Sequence, residues 1–154
     1  MIDERLTNVH ELTVSQRGRV FIKRWEGLSL EAYADCAGNR TVGYGHKLAS
    51  TQIHVITQEQ ADYFFSLDVS GVIAAIRGTV HVRLNQNMFD ALADWIFNLG
   101  SSDWIPRAAL LALNKGEYQT AIFHMALYDR AGHQYVRGLH DRRLAEVDLW
   151  QSRL

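Results

Sequence analysis

The chain has 154 residues, enough for one compact domain or for two small lobes that share a helix. Its composition, 47% hydrophobic and 21% charged, is typical of a soluble globular protein, and no apolar run reaches the length of a membrane span. The formal net charge of −1 gives no electrostatic case for binding nucleic acid.

The first fourteen residues do not form a secretory signal peptide, because acidic residues interrupt them and no apolar segment follows. Ile2, Leu6 and Val9 recur at helical spacing and predict a short amphipathic helix instead. We treat residues 1–14 as an N-terminal extension that caps the rest of the protein or contacts a partner.

A short helix is predicted from Ser15, a good N-cap, to Glu26, since Gly27 follows where helices often end. Glu26 then lies at the carbonyl end of the helix dipole, which disfavours a negative charge, and burial in a cleft would act in the same direction. A carboxyl group that stays protonated near neutral pH suits a general acid. The alternative is a surface glutamate paired with Lys23 or Arg24.

The next segment predicts a β-hairpin, with strands at Glu31–Cys36 and Thr41–His46 and a turn at 37–40. Asp35 would end the first strand and Thr41 would begin the second, so the two would be neighbours across the turn. A carboxylate and a hydroxyl in that arrangement could hold one water molecule. The alternatives are a turn-capping aspartate and an ordinary β-branched strand residue.

The sequence favours neither a cysteine nucleophile nor a metal centre. Cys36 is the single cysteine, which excludes an internal disulfide, and no nearby histidine is placed to activate its thiol. The histidines show no metal-ligand spacing and no HExxH motif. We therefore expect no metal and no cofactor.

A long helix is predicted from Thr57 to about Gly78, with Thr57 and Gln60 as a capping box. It would join the hairpin to the rest of the chain. If this helix packs behind the hairpin, His46 and Asp68 could form a buried charge pair that stabilises the fold. Further helices are predicted at Asn87–Leu99, Trp104–Asn114, Glu117–Tyr128 and Leu139–Trp150.

Several short motifs resemble the signature of the phage-type lysozymes, glycoside hydrolase family 24. The first group surrounds the hairpin and consists of Glu26-Gly27, Ala32-Tyr33, Asp35, Gly38, Thr41 and Gly43-Tyr44-Gly45-His46. The second group lies downstream and consists of Ile56-Thr57, Ala61, Asp68-Val69, Phe97-Asn98-Leu99-Gly100, Gly138-Leu139, Arg142-Arg143 and Glu146. The resemblance covers roughly residues 15 to 150.

The resemblance implies an α+β, lysozyme-like fold within a single domain, 1–154. A small β-hairpin lobe with the catalytic residues would span about 15–56. A connecting helix at about 57–79 would lead to a larger helical lobe at about 80–154.

By the same resemblance, the activity is hydrolysis of the β-1,4 bond between N-acetylmuramic acid and N-acetylglucosamine, with inversion. Glu26 would protonate the leaving oxygen, while Asp35 and Thr41 would position and activate the water. Tyr44, Asn98 and Arg142 are the predicted substrate-binding residues. An arginine near the C-terminus packs against the catalytic glutamate in this family, and either Arg142 or its neighbour in the sequence could fill that position. Trp104, Tyr128 and Tyr135, with Tyr44, are aromatic candidates for lining a saccharide cleft. For Trp104 the alternative is core packing or a lobe interface.

The family also implies a biological setting. We expect a monomeric phage endolysin whose partner is the peptidoglycan glycan strand, held in the host cytoplasm until a separate holin opens the membrane, without inserting stably into it. Two other classes remain open. One is a lytic transglycosylase, which cleaves the same bond without water. The other is a non-catalytic module that binds the cell wall or belongs to a phage tail.

Overall fold

A computed structural model describes residues 5–100 and 105–153. Over these residues the helices are α1 Gln16–Glu26, α2 Gln58–Thr79, α3 Gln86–Leu99, α4 Arg107–Asn114, α5 Tyr118–Ala126 and α6 Arg137–Gln151. The strands are β1 Ser29–Ala34, β2 Arg40–Gly43, β3 His46–Lys47, β4 Arg130–Ala131 and β5 Gln134–Tyr135. The arrangement confirms the predicted α+β class, with a small sheet, a long helix and a larger group of helices.

The small sheet has three antiparallel strands in the order β1-β2-β3, where two strands were predicted. Tyr33 pairs with Thr41 between β1 and β2, and Val42 pairs with His46 between β2 and β3. The predicted second strand is wrong in extent because the chain reverses within it. Gly43 and Gly45 take φ values of 66° and 87°, which L side chains rarely adopt, and this turn separates β2 from β3.

Helix α2 begins at the predicted capping box. The Thr57 hydroxyl accepts from the Gln60 backbone N–H at 3.1 Å, and the Gln60 side chain accepts from the Thr57 N–H at 2.9 Å. Near its start, Ala61 packs with the sheet residues in a small core that includes Val42. Further along, buried side chains such as Phe65 join the main core. The helix therefore connects the two cores.

The main core lies among the helices and is built around large buried side chains, including Trp95 and Trp150. The N-terminal segment joins this core without forming the predicted helix over residues 5–14. Thr7 makes a β-bridge with Leu84 through backbone hydrogen bonds of 2.8 and 3.0 Å. The tertiary bridge replaces helical hydrogen bonding, while three apolar side chains fill the core: Val9, Leu12 and Val14. Ile2 lies outside the described residues.

The remaining helices follow the predictions with shifted ends. Asn85 caps α3 by accepting from the Met88 N–H at 2.9 Å. Helix α4 begins at Arg107, and its predicted start, Trp104, lies outside the described residues. The hairpin β4-β5 was not predicted, because strands of two residues show too little alternation to detect. Over residues 5–100 and 105–153, no helix is long and apolar enough to cross a membrane.

Candidate active site

Glu26 is the last residue of α1, and its carboxyl group faces the turn between β2 and β3. Helix α1 ends because Gly27 has a φ of 71°, with its N–H bonded to the Lys23 carbonyl at 3.0 Å. The Glu26 side chain is 17% exposed. A Cβ at Gly45 would lie 3.0 Å from Glu26 Oε2, so the missing side chain there makes room for the carboxyl group.

Arg142, from α6, is the arginine that reaches Glu26. Its Nη2 lies 2.8 Å from Glu26 Oε1. The same guanidinium donates to both carboxylate oxygens of buried Asp94, from Nε at 2.9 Å and from Nη2 at 2.7 Å. The neighbouring Arg143 instead contacts Asn98 and Glu146, each at 2.7 Å. The choice between the two arginines, left open by the sequence, is settled by this geometry.

Burial raises the pKa of Glu26, and it is the largest influence on that carboxyl group. The charge and hydrogen bonding of Arg142 lower the pKa, while the charge of Asp94 raises it, and the net direction is upward. The protonated form of Glu26 therefore persists to higher pH than that of an exposed glutamate.

Asp35 has the opposite environment, at the turn between β1 and β2. Its Oδ1 accepts from the backbone N–H groups of Ala37 at 2.9 Å and Asn39 at 2.8 Å, and its Oδ2 accepts from Asn39 Nδ2 at 3.2 Å. The hydrogen bond from the Asn39 backbone is the largest influence, and together these bonds lower the pKa of Asp35. Asp35 thus caps the turn, as its alternative interpretation held, and this capping also keeps the carboxylate charged.

Thr41 is connected to the same turn. It is 3% exposed, and its hydroxyl donates to the Asn39 carbonyl at 3.1 Å. Asn39 therefore binds both side chains, giving hydrogen bonds to Asp35 and accepting one from Thr41. The turn fixes the hydroxyl and the carboxylate relative to each other.

Tyr33 is a site residue that the sequence analysis used only as part of a motif. It lies opposite Thr41 in the sheet and is 44% exposed. Burial raises the pKa of its phenol, followed by the charges of Glu26 and Asp35, so the hydroxyl lies in the field of both carboxyl groups. The predicted turn at 37–40 would have placed Cys36 opposite Thr41, so the position of Tyr33 was not found from the sequence.

The predicted substrate-binding side chains are engaged in contacts within the protein. The Tyr44 ring packs edge-on against Phe65 at 5.5 Å, and its hydroxyl accepts from Gln58 Nε2 at 3.2 Å. Asn98 accepts from Arg143, and Arg142 is buried between Glu26 and Asp94.

The other aromatic candidates for the cleft differ in their surroundings. Tyr128 packs edge-on against Trp95 at 5.4 Å, Tyr135 is 51% exposed, and Trp104 lies outside the described residues. Tyr128 is therefore partly buried against the main core.

A cavity of about 260 Å³ begins at Gly45 and extends between β3, α2 and the end of α3. His46 and Asp68 lie in its wall and form the predicted pair, with His46 Nδ1 2.9 Å from Asp68 Oδ2. The pair is partly exposed, at 22% and 32%, where burial was expected. Among residues 5–100 and 105–153, no group of three or more histidine, cysteine or acidic side chains is placed to hold a metal ion.

The comparisons with known proteins agree with this fold. Residues 23–146 match the sequence model of the family described as phage lysozyme. The chain is 38% identical over 143 residues to the endolysin of Acyrthosiphon pisum secondary endosymbiont phage 1, covering 90% of this chain and 98% of that one. It is 36% identical to the endolysin of Salmonella phage P22 over 126 residues, covering 79% and 86%.

Solved structures of phage endolysins and lysozymes also superpose on this chain. The endolysin from Escherichia coli O157:H7 phage FAHEc1 superposes with a TM-score of 0.78 at 31% identity, covering 92% of this chain and 94% of that one. A P22 lysozyme mutant superposes with a TM-score of 0.77 at 34% identity, covering 92% and 99%.

Fold and relatives together define a glycosidase of the lysozyme type. The chain belongs to the phage lysozyme family, and it is a peptidoglycan hydrolase of the kind that acts in phage lysis.

Proposed function

We propose that the protein is an N-acetylmuramidase, which hydrolyses the β-1,4 bond between N-acetylmuramic acid and N-acetylglucosamine in peptidoglycan. The observation that carries the proposal is the contrast between two carboxyl groups. Burial raises the pKa of Glu26, while hydrogen bonds within the turn lower the pKa of Asp35. At one pH the first can therefore act as an acid while the second is already a carboxylate.

Glu26 protonates the oxygen of the leaving sugar as the glycosidic bond breaks. The contact with Arg142 Nη2, 2.8 Å from Glu26 Oε1, holds the carboxyl group in one position. The same contact stabilises the carboxylate that forms when the proton leaves, since a guanidinium favours a nearby negative charge. Arg142 therefore has a role both before and after proton transfer.

Asp35 and Thr41 hold the attacking water. Asp35 Oδ1 already accepts two hydrogen bonds and Oδ2 accepts one, so Oδ2 has a lone pair left. The Thr41 hydrogen is directed at the Asn39 carbonyl, so the Thr41 oxygen is an acceptor. A water that donates one hydrogen to each presents a lone pair to the anomeric carbon.

These groups together account for each bond and proton in the hydrolysis. The water oxygen bonds to the anomeric carbon, the bond to the leaving oxygen breaks, that oxygen takes the Glu26 proton, and Asp35 receives the proton lost by water. We propose inversion at the anomeric carbon, which in glycosidases goes with a carboxyl separation of about 6.5–9.5 Å that leaves room for the water.

The first test is digestion of purified Gram-negative peptidoglycan, with mass analysis of the soluble fragments. The wild type is compared with Glu26→Gln and Thr41→Ala, and with Glu117→Gln as a control at an exposed glutamate. We expect reducing muramic acid ends from the wild type and the control, and a loss of at least about 100-fold in the two site variants.

Other products would change the assignment. Anhydro ends would identify a lytic transglycosylase, and an absence of fragments would leave a wall-binding module. A Glu26→Gln protein that still sediments with peptidoglycan but releases nothing would separate catalysis from binding.

The cellular part of the proposal rests on the endolysin relatives. The protein acts as a monomer, stays in the host cytoplasm until a separate holin opens the membrane, and then reaches the wall. Expression in Escherichia coli with and without a membrane-permeabilising agent tests this part. We expect lysis only with the agent, and lysis without it would show another route of release.

A further inference from the structure

A third carboxyl group lies buried behind the Glu26 site. Glu146, on α6, is 1% exposed, and its Oε1 accepts from Arg143 Nη2 at 2.7 Å. Its Oε2 is buried, and no protein donor in the described parts of the chain bonds to it. Leaving a carboxylate oxygen unsatisfied in the interior is unfavourable, because it loses its hydrogen bonds to water, so this atom requires an explanation.

The neighbour of Glu146 across the helix interface is Asp94, on α3. Asp94 is fully buried, and each of its oxygens accepts an N–H from Arg142. Asp94 is close enough to Glu146 to raise the pKa of the Glu146 carboxyl group, whose Oε2 has no donor from the described residues. Two ionised carboxylates have only acceptors, so a hydrogen bond between them requires a proton on one of them.

The hydrogen bonds indicate which group carries the proton. Asp94 receives two charge-assisted bonds from Arg142, which favour its ionised form. Glu146 receives one donor and has an unpaired oxygen. Burial, followed by the contact with Asp94, raises the pKa of Glu146 well above its usual value.

The charged groups around Glu146, which we call the cluster, agree with this assignment of the proton. Asp94 comes from α3, Glu26 from α1, and Arg142 and Arg143 from α6, with neutral Asn98 bonded to Arg143. With Glu146 neutral, the two guanidinium groups balance Asp94 and an ionised Glu26. The cluster is therefore neutral at the point where Glu26 has given up its proton.

We propose that Glu146 is a positioning residue, which remains protonated and donates a hydrogen bond to Asp94, so that Asp94 holds Arg142 against Glu26. The proposal rests on Glu26 as the acid of the proposed function. Glu146 touches no substrate, because it is enclosed between α3 and α6. Its effect on the reaction passes through Asp94 and Arg142.

Carboxyl ¹³C NMR of the full-length protein tests the protonation state without using activity. The Glu146 signal is assigned by its loss in Glu146→Gln, and the Glu117 signal, assigned in the same way, serves as the exposed reference. We expect the chemical shift of a protonated carboxyl group at neutral pH. A Glu146 signal at the carboxylate position would overturn the proposal.

Kinetics then test the positioning role. Glu146→Gln keeps a donor toward Asp94, so we expect kcat within about twofold of wild type and an unchanged alkaline limb of the pH–rate profile. Glu146→Leu removes the donor, and we expect a loss of about tenfold or more in kcat. If Glu146 were ionised, Glu146→Gln would remove a negative charge and move the limb to lower pH, which would contradict the proposal.

The positioning role of Glu146 and the role of Glu26 as the acid can fail independently of each other. If Glu146→Leu does not fold, the unchanged limb of Glu146→Gln and the NMR signal still decide the question. If Glu26→Gln retains activity, the proposed function fails, while the protonation state of Glu146 is measured independently.

Discussion

The Glu26 carboxyl group lies against the space that a side chain at Gly45 would fill, although nineteen positions separate the two residues in the sequence. The Glu26 Oε2 atom lies 3.0 Å from the point that a Cβ at position 45 would occupy. Gly45 also has a φ of 87°. The turn that separates β2 from β3 therefore forms one wall of the space that the carboxyl group fills.

Gly45→Ala should reduce activity more than it reduces stability. The new methyl group would displace the Glu26 carboxyl group, and the left-handed backbone would add a cost of about 1–2 kcal/mol to the folded state. We expect a loss of at least about tenfold in peptidoglycan hydrolysis, measured on protein shown to be folded by circular dichroism.

Gly116→Ala is the matched control for this change. Gly116 has a φ of 75°, and a Cβ there would meet nothing within 4 Å. The two variants should lose similar stability, but only Gly45→Ala should lose activity. Equal activities at equal stability would contradict the steric role of Gly45.

Arg142→Gln should move the alkaline limb of the pH–rate profile to higher pH while lowering the maximal rate. Arg142 lowers the pKa of Glu26, so its removal lets the carboxyl group stay protonated at higher pH. Activity requires the protonated acid and falls as pH rises through the Glu26 pKa, so the fall comes later in the variant. The pH dependence of kcat/KM for a soluble glycan substrate measures this shift.

Arg142→Gln also leaves the buried Asp94 carboxylate without its partner. Removing one partner of a buried ion pair lowers the free energy of unfolding by about 3–5 kcal/mol. The double variant Asp94→Asn/Arg142→Gln removes both charges and should recover stability. Arg137→Gln serves as the control on the same helix, because the Arg137 side chain is 88% exposed. A limb that moves to lower pH in Arg142→Gln would refute the electrostatic argument.

Asp90 should make the folded protein less stable as pH rises. It is 1% exposed beneath α1, and burial raises its pKa above the unfolded value despite hydrogen bonds from Ser15. The folded state therefore binds the proton more tightly, so stability present at low pH is lost as pH rises from the unfolded to the folded pKa. The size is about 1 kcal/mol for each pKa unit.

Asp90→Asn removes this titration. Urea unfolding at a series of pH values should show the stability of the variant, relative to wild type, increasing as pH rises through that window. If the free energies of unfolding of the two proteins changed in parallel with pH, Asp90 would have the same proton affinity in the folded and unfolded states, which would contradict the prediction.

Asp68→Asn should cost stability without affecting catalysis. Asp68 contacts His46 at 2.9 Å, and the His46 ring stacks on Phe64 with centroids 4.4 Å apart. We expect the free energy of unfolding to fall by about 1 kcal/mol, with hydrolysis unchanged. Thermal unfolding and fragment release measure the two effects, and a loss of rate at unchanged Tm would indicate a catalytic role.

Asp62→Asn provides a control for Asp68. Asp62 pairs with Lys23 at 2.7 Å, but its side chain is 47% exposed. Because water screens exposed pairs, this variant should lose less stability than Asp68→Asn.

The local signals in the sequence predicted the helix starts well. Ser15 and Thr57 cap α1 and α2 as expected, because a capping side chain acts within one turn of its own position. The N-terminal helix prediction was wrong over residues 5–14 because Leu6 and Val9 have helical spacing, while the backbone of Thr7 pairs with a residue far along the chain. Spacing alone does not distinguish the two arrangements.

In the candidate site, too, local features were predicted from the sequence and contacts between distant residues were not. The motif placed Glu26 at the end of α1 and Thr41 in β2 as expected. The predicted first strand, Glu31–Cys36, was wrong in extent, because β1 ends at Ala34 and Asp35 lies in the turn, where its side chain accepts backbone hydrogen bonds. The motif gave no sign of the turn contacts made by Asn39. The buried partners Asp94 and Glu146 lie on different helices, so no local pattern joins them. One signal was available: Asp94 interrupts a run of apolar residues in α3, and a charge on a buried face requires a partner.

The pairing of Glu26 with Arg142 also bears on synthesis of the protein. Glu26 leaves the ribosome before Arg142, because α1 precedes α6 and the four helices between them in the sequence. Until α6 docks on α3, the carboxyl group lacks its cationic neighbour, and Asp94 lacks the partner that offsets its burial. A growing chain therefore cannot complete the surroundings of Glu26 before α6 has been made.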